Sequence, residues 1–95
     1  MVIVTVKYIK PLEVIDNLLA DHRKFLDDCY KQGKFICSGP QNPRIGGVIL
    51  ANLSLAEARS VVQGDPFYAN QAAAYEFIEF TPVKYDERFA CFLGK

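Results

Sequence analysis

The chain has no tryptophan, one histidine, one methionine and three cysteines. The cysteines, Cys29, Cys37 and Cys91, form no CxxC pair, and their odd number argues against a disulfide framework. They read as small hydrophobes, and no second histidine exists to activate a thiol. A lone imidazole without HxxxH spacing cannot build a standard transition-metal site, so neither a metal nor a cofactor is expected. An excess of charge of one sign is also lacking, since Lys+Arg and Asp+Glu number 11 each. No basic run occurs and arginines do not interleave with aromatics, which argues against nucleic-acid binding. No apolar stretch reaches the ~18 residues of a membrane span. Met1 to Val6 lacks the basic start, long apolar core and small-residue site of a signal peptide. A cytoplasmic protein with no nucleic-acid or membrane partner is the expectation.

What is present is a small apolar domain. With 95 residues, the expectation is one domain, 1–95. Hydrophobic residues at 51% exclude a disordered chain. A chain of this length buries roughly 60–65% of its unfolded surface. That leaves little room for a deep pocket, so a ligand site is expected at a cleft or an oligomer interface.

The pattern along the chain alternates between strand and helix periods. Val2–Tyr8 is apolar and β-branched and reads as a strand. Pro11 opens a helix that runs to about Gln32, with Gly33 as its stop. Lys34–Ser38 is a second strand, and Gly39 to Arg44, with two prolines, reads as a loop. Gly46 and Gly47 turn the chain back into a third strand, Val48–Asn52. Ser54 and Glu57 make a capping box for a second helix ending near Gly64. Asp65-Pro66 caps a further short turn, and Ala74–Thr81 is the last strand, ended by Pro82.

Strand, helix, strand, strand, helix, strand is the split βαβ or ferredoxin-like plan: α+β, an antiparallel four-stranded sheet with both helices on one face. The other face is then bare although its residues are apolar. Two such sheets packed together form a dimeric α/β barrel, so a homodimer is expected. The apolar tail Arg88–Leu93 is expected to dock as well.

His22 stands on the apolar stripe of the first helix, in register with Val14, Leu18, Phe25, Leu26 and Cys29. A group that titrates near neutrality is thereby aimed inward, where it must be satisfied or used. One reading is a core histidine bonded to a backbone carbonyl. The other is a general acid or base, which needs a carboxylate to fix its tautomer. Asp21 adjoins His22 and points elsewhere; Asp27 and Asp28, five and six residues on, face it poorly. Asp65 is the favoured partner, because a loop after the second helix can fold back over the first. It also reads as a plain helix cap, and the two roles are compatible. Ser38 and Arg44 are candidates to bond a substrate oxygen, with Gly39 and Pro40 at a pocket rim. Phe67, Tyr68, Tyr75 and Phe80 read mainly as core, with one or two available to line a site for a flat ligand.

His22 to Leu26, Ser38-Gly39-Pro40, Gly46-Gly47, Asp65-Pro66-Phe67 and Glu79 to Val83 occur in the order found in the YciI-like (YCII-related) family, which the chain resembles over nearly its whole length. The resemblance implies a dimeric α/β barrel with a His–Asp active site. On this sequence the pair falls on His22 and Asp65, and the Ser-Gly-Pro wall of the pocket on Ser38, Gly39 and Pro40. One branch of the family resembles a dehydrochlorinase acting on a chlorinated hydroxyhydroquinone. Related barrels include muconolactone isomerases and small monooxygenases, though bulky neighbours of His22 leave little room for a heme.

Two functions follow. The first is a cofactor-free lyase or isomerase acting on a small phenolic or enolic substrate, with His22 moving a proton, Asp65 orienting it, and Ser38 or backbone N–H groups near Gly39 holding an oxyanion. Arg44 and Phe67 would contact the substrate. The alternative is a non-catalytic dimeric small-molecule-binding or accessory protein, in which His22 is structural.

Overall fold

In the computed structural model, which describes residues 1–94, four strands form one antiparallel sheet in the order β2-β3-β1-β4. The strands are β1 (Val2–Tyr8), β2 (Phe35–Pro40), β3 (Gly46–Ala51) and β4 (Ala73–Glu79). The helices are α1 (Leu12–Lys31), α2 (Leu55–Val61) and the single turn α3 (Pro66–Ala69), with short 3₁₀ turns at Val62–Gly64 and Glu87–Leu93. This is the ferredoxin-like plan that the alternation of periods predicts. No helix among the described residues is long and apolar enough to cross a membrane.

The period-2 alternation of β1 sets the core. Val2, Val4 and Val6 are buried, and across the ladders Val4 faces Ile49 of β3 and Phe77 of β4. Phe35, Ala51, Ala58, Val62 and Phe67 complete this layer beneath the helices. The opposite face carries Ile3, Thr5, Val48, Leu50, Glu76 and Ile78, and is not covered by a helix; Ile78 is 56% exposed.

The helix ends are explained locally. Pro11 is the N-cap of α1, and its carbonyl accepts from the amides of Val14 and Ile15. At the C-terminus the Lys34 amide reaches the Cys29 carbonyl and the Gly33 amide that of Tyr30, a Schellman arrangement that Gly33 permits at φ 70°. The capping box of α2 forms as expected, with Ser54 and Glu57 bonding each other's backbone amides.

Three boundaries differ from expectation. β2 continues through Gly39 and Pro40 rather than breaking into a loop after Ser38. It is an edge strand, where a proline without an N–H is tolerated. Gly46 and Gly47 open β3 rather than forming a turn, leaving residues 41–45 as the connection. The reason is close approach: a Cβ on Gly46 would fall on the Val6 carbonyl oxygen. β4 stops at Glu79, opposite Val2 at the start of β1; one last bond runs from the Phe80 amide to the Met1 carbonyl. The tail lies against the end of β3, with Asn52 donating to the Phe92 carbonyl at 3.0 Å.

Candidate active site

α1 has two overlapping faces. At about 100° per residue, Ile15 and Cys29 each fall about 20° from His22, one to either side, and both are buried. Rotated further round are Leu26, Leu19, Arg23 and Asp16, which with His22 wall an open cleft of about 420 Å³. His22 stands where the two faces meet. Val14, expected on the buried stripe, is 37% exposed and Ile15 takes its place. Val14 sits at the margin of the stripe, about 80° from His22.

The structure brings His22 and Asp65 together across 43 residues: Nδ1 lies 2.8 Å from Oδ1. The His22 side chain is 13% exposed and that of Asp65 fully buried. Asp65 is positioned by its own turn. It caps α3, and Oδ1 also accepts from the Phe67 amide at 3.0 Å. Oδ2 accepts from the Tyr75 hydroxyl at 2.7 Å. Three donors thus converge on one buried carboxylate, which offsets the cost of burying it.

This network fixes the ring. With Nδ1–H donated to Asp65, the neutral imidazole carries its lone pair on Nε2. Nε2 has no partner among the described residues, and no buried side-chain nitrogen or oxygen among them is unpaired, so Nε2 opens on the cleft. The ring lies on Phe67, centroids 4.0 Å apart and planes 12° apart. Tyr8 meets Phe67 edge-on at 5.9 Å. The Tyr75 phenol is pushed far up, first by burial and then by the Asp65 charge and hydrogen bond. It therefore stays protonated and serves Asp65 only as a donor.

Of the other expected site residues, Ser38, Gly39, Pro40, Arg44 and Phe67 all line the cleft. Gly39 and Pro40 do so from within β2, paired with Val48 and Gly47, not from a loop. Ser38 Oγ is 2.7 Å from the Tyr30 hydroxyl. Arg44 is paired with Asp16 at 2.6 Å, and that hydrogen bond holds its guanidinium further above its ordinary range. Tyr68 and Phe80, 44% and 39% exposed, stand outside the buried core and do not line the cleft. Burial pushes the Cys29 thiol up, away from the thiolate form. Among the described residues no group of three or more potential metal ligands gathers.

Sequence reasoning did not single out Tyr8, Asp16, Arg23 or Tyr30 for the site, nor give Tyr75 its role. The signal for three of them was present. Asp16, Leu19, Arg23 and Leu26 repeat at spacings of three and four beside the buried stripe. Tyr75 lies on the core face of β4 opposite Val6, where a hydroxyl must find a partner.

Comparison with known proteins agrees with this architecture. No curated protein sequence is significantly similar to the chain. Among solved structures it is similar to 5-chloro-2-hydroxyhydroquinone dehydrochlorinase from Burkholderia phenoliruptrix AC1100 in complex with 2,5-dihydroxybenzoquinone. The TM-score is 0.67 at 20% identity, over 85% of this chain and 94% of that one. The likeness is one of fold. The model of the YCII-related domain matches residues 1–81, and the chain therefore belongs to the YCII-related family.

Proposed function

We propose that the protein is a cofactor-free lyase or isomerase acting on a small phenolic or enolic substrate, as a homodimer. The observation that carries this reading is the bond from His22 Nδ1 to buried Asp65, with the opposite ring nitrogen left open to a cleft. His22 acts as the base at Nε2, Asp65 holds the tautomer and stabilises the imidazolium, and Ser38 donates to the developing oxyanion while Tyr30 donates to Ser38. Arg44 and Phe67 contact the substrate from the cleft wall.

The dehydrochlorinase of similar fold suggests the reaction type. In loss of HCl a base removes one proton and chloride departs with the C–Cl electron pair, so no external oxidant is required. General base catalysis supplies only about 10²–10⁴-fold, which fits an activated ring such as a chlorinated hydroxyhydroquinone. The test is chloride release from such substrates. His22→Ala should lower turnover to background while the fold persists; full activity in that variant would overturn the mechanism.

The stack of His22 on Phe67 favours a second reading, a small-molecule-binding module in which the imidazole only supports the cleft wall. There His22→Gln should lower the melting temperature and leave ligand affinity unchanged.

A further inference from the structure

We propose that the cleft takes its substrate as a carboxylate, and that Arg23 is the residue that recognises it. This rests on the cleft being the substrate site. Four ionisable groups at its wall bear on charge: Asp16, His22, Arg23 and Arg44. Asp16 and Arg44 satisfy each other at 2.6 Å. His22 is tied to Asp65, whose carboxylate is buried and already accepts three bonds. Arg23 alone among the four has no hydrogen bond or ion pair with any described residue. Asp27, one turn further along α1, does not pair with it either. The wall therefore carries one uncompensated positive charge, on a planar fork of donors suited to a carboxylate.

Position on the helix ties this charge to the chemistry. Arg23 follows His22, so the two side chains leave α1 about 100° apart and both reach the same cleft. A flat ring in the cleft can present an acidic O–H or C–H to Nε2 while a carboxylate on its edge meets Arg23. The floor between them is apolar, with Leu19, Leu26 and Ile49, which suits the body of an aromatic ring and leaves the charged edge one place to go. Arg23 is exposed and the attraction is screened by water, so the expected effect is a preference and not an absolute requirement.

Isothermal titration with 2,5-dihydroxybenzoate and its neutral amide tests this directly. The wild-type protein should bind the carboxylate about fivefold more tightly than the amide at low salt. The preference should shrink in high salt and vanish in Arg23→Gln. It should persist in Arg88→Gln, where the arginine lies outside the cleft and is paired with Asp86. Equal affinities, a preference retained in Arg23→Gln, or no binding of either probe would each overturn the inference. Failure of the proton chemistry would look different: no chloride release, with the carboxylate preference intact.

Discussion

At the scale of single residues the molecule turns on Asp65. A buried carboxylate is tolerated here because backbone, phenol and imidazole each give it a proton to share. Removing one donor leaves a lone pair buried without a partner, so Tyr75→Phe should cost about 1–3 kcal/mol, read by urea denaturation. The same variant tests the sign of a pH effect. The folded protein keeps the Tyr75 proton above 10.0, the ordinary value, and the unfolded chain does not. Above that pH the folded state binds more protons, so stability falls as pH rises. Cys29, raised by burial from 9.0, adds to the same decline. In Tyr75→Phe the alkaline decline should be shallower than in wild type; an identical slope would show that Tyr75 does not hold its proton on folding. The pairing of His22 with Asp65 was legible in the sequence because only one acid stood in a loop able to fold back over α1. Tyr75 was not read as a partner because an aromatic on a core face has an adequate explanation in packing alone.

At the scale of elements, backbone proximity decides what periodicity leaves open. The glycines at 46 and 47 look in sequence like a turn, and the proline at 40 looks like a break. What overrides those local signals is the ladder: β1 approaches β3 so closely that no side chain fits at Gly46. Such a contact between strands distant in sequence has no local signature. Gly46→Ala should therefore lose about 3 kcal/mol through strain in the sheet. Gly39→Ala, where an added Cβ meets nothing within 4 Å, should be nearly neutral. Thermal unfolding of the two variants side by side is the measurement, and equal melting temperatures would contradict the account. Helix starts and the end of α1, by contrast, were readable to within a residue or two, whereas α2 gives way to a 3₁₀ turn after Val61, three residues short of the expected stop at Gly64. Pro11, Gly33, Ser54 and Glu57 act through their own backbone neighbours.

At the scale of the whole molecule, the sheet is the asymmetric feature. One face is roofed by helices and holds the cleft; the other presents Val48 and Ile78 to solvent, with Ile3 and Leu50 half-buried beside them. Apolar surface of this kind favours self-association. Ile78→Lys should convert the proposed homodimer to a monomer, with a near-native circular dichroism spectrum, as judged by light scattering. An unchanged mass would remove this face from the interface. The fold class followed from the order of strands and helices, because few topologies satisfy that order. The cleft was legible only in part: Ser38, Gly39, Pro40, Arg44 and Phe67 were read for it, but its walls come from α1, β1, β2, β3 and α3 at once, a convergence without a local pattern.

The single imidazole has a practical side. Because His22 is the only one in the chain and borders the cleft, the histidine ring resonances in a nuclear magnetic resonance spectrum of the unlabelled protein come from one place. Any compound that enters the cleft announces itself there, so the search for a natural ligand needs neither a reporter group nor an assigned spectrum.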